Sequence, residues 1–121
     1  MDYRNFRNII MKEYPLGEFE EIVLLTVGVL FNEAYGVAIK HEIETRLNRK
    51  VSVGALQSAL RRMEKKGYLD SRLGETTNAR GGKRKRYFNI TAYGKKAMTH
   101  AREVRESLWK DIPDIALDFT I

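Results

Sequence analysis

Residues 52–67 read SVGALQSALRRMEKKG and have the complete pattern of one amphipathic helix. Ser52 is suited to the N-cap, because its side-chain oxygen can accept a backbone N–H of the first turn, and Gly67 suits the position just past the helix end. Apolar side chains recur at helical spacing on one face, at Leu56, Leu60 and Met63. The remaining face carries hydrogen-bond donors at Gln57, Ser58, Arg61, Arg62 and Lys65. The pattern predicts a helix with one buried face and one donor-rich face.

The composition favours a single small domain with an anionic partner. The 121 residues include 22 Lys and Arg against 16 Asp and Glu, which gives a net charge of +6. A chain of this length supports one hydrophobic core, and the excess of positive charge favours a polyanion as partner. Since cysteine is absent, disulfides, thiolate catalysis and Cys-based metal sites are excluded.

The sequence contains no pattern typical of a membrane span, a signal peptide or an active site. No apolar run approaches the ~20 residues of a membrane span, and the N-terminus lacks the apolar core of a signal peptide. His41 and His100 are isolated from each other, and no nucleophile–base pair, phosphate loop or acidic metal cluster is recognisable. We therefore expect a cytoplasmic protein that is not an enzyme and that binds neither a cofactor nor a metal ion.

Two further helices are predicted ahead of residues 52–67. Residues 16–32 begin with three glutamates, which suit the positive end of a helix, and continue into an apolar run. A buried strand is the competing interpretation of residues 22–30, but the acidic start and the length favour a buried helix. Residues 37–47 have the pattern of an amphipathic helix, and a short turn joins them to the helix at 52–67. This layout is that of a helix-turn-helix.

A β-hairpin is predicted directly after these helices. Residues 68–75 and 84–90 alternate in the manner of strands, and residues 75–83, ETTNARGGK, have the composition of a hairpin tip. Five of the seven residues from 80 to 86 are Lys or Arg, so we expect the tip to be exposed and to bind a polyanion. A helix-turn-helix followed by such a hairpin is a winged helix, whose second helix enters the major groove of DNA.

A long last helix is predicted from the N-cap Thr91 to about Ile112, ahead of Pro113. Its apolar positions have a spacing close to that of a coiled-coil seam: Tyr93, Ala97, Ala101, Val104, Leu108 and Ile112. We expect this stripe to form a homodimer interface. The alternatives are packing within one chain or a contribution to an effector pocket.

The combined pattern of residues 16–112 resembles the PadR family of bacterial transcriptional regulators, and in particular its short members. The resemblance lies in Tyr35–Gly36, in Ser52, Gly54, Ala55 and Leu56, in Gly81–Gly82, and in Thr91-x-x-Gly94. It implies a winged-helix repressor that dimerises through a C-terminal helical element. This chain departs from the family's pattern at Gln57–Ser58, where Tyr-Pro is common, and in its short C-terminal part.

The resemblance also allows a small-molecule site, because some relatives bind aromatic compounds at the dimer interface. Tyr93 and Trp109 are the candidate residues for a small aromatic effector. Plain packing is the competing explanation for both.

The predicted DNA contacts fall into two groups. Gln57 can form a bidentate pair with adenine and Arg61 with guanine, while Ser58 can contact a base or a phosphate. These three are predicted to read bases. The residues predicted to contact the DNA backbone are Ser52, Arg62, Lys65, Arg80, Lys83, Arg84 and Lys85. An ordinary solvated surface is the alternative for both the helix and the hairpin.

The sequence thus predicts a mainly α fold with a small β-hairpin, of the α+β class. Residues 1–15 form an N-terminal arm or short helix, 16–90 a winged-helix DNA-binding domain, and 91–121 a dimerisation helix and tail. We expect a sequence-specific regulator of transcription that binds double-stranded DNA, a repressor acting as a homodimer on a two-fold related operator. The competing hypothesis is a winged helix that binds protein or RNA without operator specificity. Duplex RNA is disfavoured, because its deep, narrow major groove resists helix insertion.

Overall fold

The computed structural model describes residues 14–75 and 84–119. In chain order the elements are α1 (Glu18–Val29), α2 (Gly36–Leu47), α3 (Val53–Lys66), β1 (Leu69–Leu73), β2 (Arg86–Ile90), α4 (Ala92–Asp111) and a short 3-10 helix (Asp114–Leu117). The predicted mainly α fold with a β-hairpin is confirmed. The first helix ends at Val29, three residues before the predicted end.

The caps of α3 are those that the sequence predicts. The Oγ of Ser52 accepts a hydrogen bond from the backbone N of Ala55 at 2.9 Å. At the other end Gly67 adopts a left-handed φ of 84°, a conformation that glycine reaches without a Cβ penalty. The N-cap of α4 is also as predicted, since the Oγ1 of Thr91 accepts from the backbone N of Gly94 at 3.0 Å.

The hydrophobic core lies between α1, α2 and α3. Side chains with at most 2 % exposure come from all three helices: Val23, Leu24, Val27, Ile39, Ile43, Leu56, Ala59, Leu60 and Met63. Burial of a large apolar side chain of this kind contributes about 1.5–3 kcal/mol. The core therefore fixes the orientation of α3, whose buried residues are those of its predicted apolar face.

The hairpin closes one side of this core. Its strands pair antiparallel, in a register that runs from Leu69 opposite Ile90 to Leu73 opposite Arg86. The backbone N of Phe88 donates to the carbonyl of Ala34 at 2.8 Å, and Phe88 itself is buried. The hairpin is thereby attached to the turn that precedes α2.

The last helix packs on the hydrophobic core of the domain through its first half. A Cβ at Gly94 would collide with the carbonyl of Tyr68, so the first turn of α4 approaches the backbone more closely than any other residue would allow. Ala97 is 1 % exposed and belongs to the core. From residue 102 to the end of α4, all side chains are exposed. The Nη1 of Arg105 pairs with the Oε1 of Glu21 in α1 at 2.6 Å, but the second half of α4 otherwise projects from the domain core.

The predicted N-terminal arm lies mostly outside the described residues. Tyr14, its penultimate residue, packs on α4, with ring centroids 5.6 Å from Tyr93 and 5.4 Å from His100. The carbonyl of Pro15 accepts a hydrogen bond from the hydroxyl of Tyr68 at 3.2 Å. The chain thus enters the domain beside α4.

A buried carboxylate joins α1 to α3. The Oε2 of Glu20 accepts from the Nζ of Lys66 at 2.8 Å and lies 3.8 Å from the Nε of Arg62, while its Oε1 accepts from the backbone N of Gly17 at 3.0 Å. Burial alone would raise the pKa of Glu20. The hydrogen bonds from Lys66 and Gly17, with the charges of Lys66 and Arg62, outweigh burial and hold this pKa below its ordinary value of 4.5.

Acid should therefore destabilise the protein through Glu20. Because its pKa is lower in the folded chain than in the unfolded chain, the carboxylate stabilises the fold above pH 4.5, and this contribution is lost as the pH falls through the folded pKa. Between about pH 6 and pH 3 the free energy of unfolding from urea titrations should fall more steeply for the wild type than for Glu20→Gln. Equal slopes for the two proteins would contradict this assignment.

Candidate nucleic-acid interface

The outward face of α3 presents the donors that the sequence places there. Ser58, Arg61 and Lys65 follow one another at helical spacing, and together with Arg62 they line one open depression. Arg61 and Lys65 are exposed and Ser58 is half-buried. The structure thus brings together two of the three predicted base-reading residues and two of the predicted backbone contacts.

Arg62 lies at the margin of this face. Its Nε is 3.8 Å from the Oε2 of Glu20, and its side chain keeps about half of its accessible surface. The carboxylate draws Arg62 toward α1, away from the row formed by Ser58 and Arg61. A position at the margin suits a contact with a phosphate better than a contact with a base edge.

Gln57 belongs to a second surface, a cavity of about 370 Å³ between the start of α2, the start of α3 and the base of the hairpin. We call it the α2–hairpin cavity; its lining includes Tyr35, Val37, Lys40, Val53, Gln57 and Lys85. The Nε2 of Gln57 lies 3.2 Å from the point that a Cβ on Gly36 would occupy. The amide of Gln57 therefore rests against the first turn of α2, and a glycine at position 36 makes room for it.

Two cations flank a pair of aromatic rings at the base of the hairpin. The Nζ of Lys85 lies 4.2 Å from the ring centroid of Tyr35, which meets Tyr87 edge-on at 5.6 Å, and the Cζ of Arg72 lies 4.9 Å from the Tyr87 centroid. Each cation–π contact of this kind is worth about 0.5–1 kcal/mol at an exposed site. The stack joins the hairpin to the turn before α2 and holds Lys85 beside Gln57.

The arginines that flank the hairpin tip are oriented by hydrogen bonds across the strands. Arg84 donates from Nε to the carbonyl of Gly74 at 2.6 Å, and Arg86 donates from Nη1 to the Oγ of Ser71 at 2.9 Å. Both side chains remain exposed. Two other predicted contacts, Arg80 and Lys83, lie outside the described residues together with the Gly81–Gly82 pair.

A carboxylate fixes the turn between α2 and α3. The Oε2 of Glu44 accepts from the backbone N of Val51 at 2.8 Å, and its Oε1 accepts from the Nζ of Lys40 at 3.0 Å. These hydrogen bonds, with that from Val51 first, lower the pKa of Glu44 below its ordinary value. These contacts therefore fix the orientation of α3 relative to α2.

Sequence reasoning missed the residues that complete the α2–hairpin cavity. Tyr35, Val37, Lys40 and Arg86 line it but are absent from the predicted site. Each comes from a different element than Gln57, and the cavity forms only because the hairpin packs against the start of α2. The basic run at 83–86 and the Tyr35–Gly36 pair were the available signals, but nothing in their spacing places them beside Gln57.

The structure divides the predicted dimer stripe into two parts. Ala97 lies in the domain core, Ala101 is half-buried, and Tyr93 packs against Tyr68 with ring centroids 5.3 Å apart. Farther along α4, Val104 and Leu108 are exposed, and Ile112 just beyond the helix is half-buried. Within one chain, the first part of the stripe thus packs largely intramolecularly, although Tyr93 keeps 40 % exposure, and the second part is available to another surface.

Tyr93 and Trp109, the candidate effector residues, are not brought together within one chain. Sixteen residues of helix separate them by about 24 Å, and they share no cavity among the described residues. Trp109 is 67 % exposed and lines a groove of about 340 Å³ with Leu25 of α1 and Met98 of α4. The effector remains a prediction.

The described residues offer no alternative site of a recognised kind. Within 14–75 and 84–119, no group of three or more His, Cys, Asp or Glu side chains is arranged to hold a metal ion. In the same part of the chain, no helix has the length and apolar character needed to cross a membrane. His41 is exposed, and His100 lies half-buried against Tyr14.

Comparisons with known proteins agree with this geometry. A transcriptional regulator from Clostridium thermocellum has a TM-score of 0.60 at 26 % identity, covering 91 % of this chain and 92 % of its own. A PadR-like transcription factor from Bacteroides fragilis has a TM-score of 0.66 at 21 % identity, covering 88 % of this chain and 93 % of its own. RosR of H. salinarum has a TM-score of 0.62 at 24 % identity, with 83 % of each chain covered. Among curated proteins there is no significant match.

A family model matches the segment that runs from the middle of α1 to the first half of α4. The model of the transcriptional regulator PadR-like family matches residues 24–100, which is more than half of the chain. That segment contains α2, α3, the hairpin and the second half of α1, and therefore the whole donor-rich face. The chain belongs to the PadR-like family of transcriptional regulators.

Proposed function

We propose that this protein is a sequence-specific regulator that binds double-stranded DNA and represses transcription as a homodimer. The observation that carries the proposal is the outward-facing row of Ser58, Arg61 and Lys65 on the second helix of a helix-turn-helix. Family membership supports a role in transcription, and the family resemblance favours repression. Since its target is chromosomal DNA, we expect the protein to act in the cytoplasm.

Base recognition is assigned to the first turns of α3. Arg61 can donate two parallel hydrogen bonds to a guanine, and Gln57 can pair with the donor and acceptor of an adenine. Ser58 stands between them on the helix and reaches either a base or a phosphate. Such bidentate pairs are worth about 1–3 kcal/mol of discrimination each.

Backbone contacts are assigned to the margins of that face and to the hairpin. Lys65 and Arg62 lie at the far end of the exposed row, and the hydroxyl of Ser52, which accepts from Ala55, can also donate to a phosphate. In the hairpin, Arg84 and Lys85 are held in place by Gly74 and Tyr35. Arg80 and Lys83 are added from the sequence alone. Cations at phosphates supply affinity and register without reading sequence.

Dimerisation is assigned to the projecting half of α4. Val104, Leu108 and Trp109 are exposed there, and an amphipathic helix of this kind is stabilised when its apolar stripe is buried. A second copy can bury the stripe by packing Val104, Leu108 and Ile112, with help from Ala101 and Tyr93. Two recognition helices would then meet half-sites about 34 Å apart on a two-fold related operator.

Replacing Arg61 should relax sequence preference, whereas replacing Lys65 should not. In duplexes selected from a random library, Arg61→Ala should lose about 1–3 kcal/mol of binding and much of the preference for the selected sequence. Lys65→Ala removes one charge from the same helix and should weaken selected and random duplexes alike, with a shallower salt dependence. Fluorescence anisotropy across a salt series measures both effects. An equal loss on both duplexes for Arg61→Ala would remove it from base recognition.

A carboxylate on the projecting stripe should dissociate the dimer. Light scattering after gel filtration should report a dimer for the wild type and a monomer for Leu108→Glu, because the dimer would have to bury an unpaired charge. Lys110→Glu is the matched control: it places a carboxylate on the opposite face of the same turn and should remain dimeric. A monomeric wild type, or dissociation of both variants alike, would contradict the assignment.

A further inference from the structure

The first two residues of α3, Val53 and Gly54, have no explanation within the fold. Val53 is 60 % exposed, and a Cβ built on Gly54 would meet no heavy atom within 4 Å. Gly54 lacks a left-handed φ, so its backbone would accept any residue. Valine and glycine both form helices less readily than alanine does. Neither residue is therefore favoured by helix stability, and both are available for a contact outside the chain.

Val53 lies on the surface assigned to base recognition. It precedes Gln57 by four residues and Arg61 by eight, so the three side chains follow one edge of α3. Val53 and Gln57 also line the α2–hairpin cavity, and Val37, which is 73 % exposed, faces the same cavity from α2. Two exposed apolar side chains thus stand beside the amide of Gln57.

Cations surround this apolar patch. Lys40, Lys85 and Arg86 line the same cavity, and Lys85 is held over the ring of Tyr35. A partner for this surface needs negative charge at its rim and an apolar group in its middle. The major groove of DNA has this arrangement at each thymine, whose C5-methyl group projects between two phosphate backbones.

Gly54 lies at the N-terminal end of the row formed by Ser58, Arg61 and Lys65. It precedes Ser58 by four residues and Arg61 by seven, and therefore lies near the middle of the outward face of α3. Because nothing in the chain occupies the space beside it, a glycine there leaves room for another molecule to approach the helix backbone.

We propose that Val53 contacts the C5-methyl group of a thymine in the operator and that Gly54 allows the base edge to approach α3 closely. This rests on the proposed binding of double-stranded DNA and adds two specificity-determining residues to it. It also agrees with the role proposed for Gln57, since an adenine read by its amide is paired with a thymine in the same groove. Val37 extends the apolar surface on which such a methyl group would rest.

The experiment uses duplexes in which single thymines are replaced by deoxyuridine, a change that removes only the methyl group. In a selected duplex, one such position in a single half-site should weaken binding of the wild type about fourfold, which corresponds to one buried methyl group. Val53→Ala should bind the thymine and deoxyuridine duplexes equally. Val29→Ala, at an exposed valine of α1 away from the cavity, should keep the fourfold difference.

Gly54→Ala tests the close approach. It should weaken binding to the selected duplex at least tenfold, while the thermal midpoint stays the same or rises because alanine is the better helix former. An unchanged or raised thermal midpoint would show that the variant is folded and that only its DNA binding is impaired.

Three outcomes would overturn the inference. The first is that deoxyuridine leaves wild-type affinity unchanged at every thymine position. The second is that Val53→Ala still binds the thymine duplex more tightly than the deoxyuridine duplex. The third is that Gly54→Ala binds the selected duplex with wild-type affinity. If the wild type binds no duplex in preference to another, the proposed function fails as well. Selective binding without sensitivity to deoxyuridine overturns only the contact with the methyl group.

Discussion

Leu56, Leu60 and Met63 hold α3 against α1 and α2, and the direction of every outward side chain of α3 depends on this contact. All three are at most 2 % exposed. If α3 rotated about its axis, these apolar side chains would become exposed and its hydrogen-bond donors would become buried. Both changes would cost free energy. The core thus serves recognition directly, since it sets which residues of α3 face outward.

The acidic side chains around α3 are placed so that its outward-facing cations remain available for an external partner. The acidic side chains that contact this region lie behind or beside the helix: Glu20 pairs with Lys66 and Arg62, and Glu44 holds the preceding turn through Val51. Within the described part of the chain, Arg61 and Lys65 form no ion pair. Lys66 at the back of α3 stabilises the fold, whereas Arg61 and Lys65 at the front remain available to a polyanion.

The features that could be predicted from sequence are those set by neighbouring residues. Ser52, Gly67 and Thr91 mark helix ends because each acts on backbone groups within three or four positions. Residues that meet only in the folded chain could not be predicted in this way. Tyr35 and Lys85 are fifty positions apart, and their contact depends on how the hairpin packs against the turn before α2.

The last helix shows a different limit of sequence reasoning. Ala97 and Leu108 belong to one apolar stripe, yet Ala97 packs in the domain core and Leu108 is exposed. Helical spacing identifies a face but not its partner, and here the available partner changes along the helix as it leaves the domain. Tyr93 and Trp109 likewise share a helix but not a cavity.

Sequence-specific binding of double-stranded DNA is the central claim, and one competition measurement tests it directly. Genomic duplex fragments and RNA transcripts of the same sequences would be offered together across a salt series, and the bound molecules sequenced. A regulator of this kind should retain a small set of related duplexes at salt concentrations that release RNA and random duplexes. Equal retention of RNA and duplex, or bound duplexes with no common sequence, would contradict it.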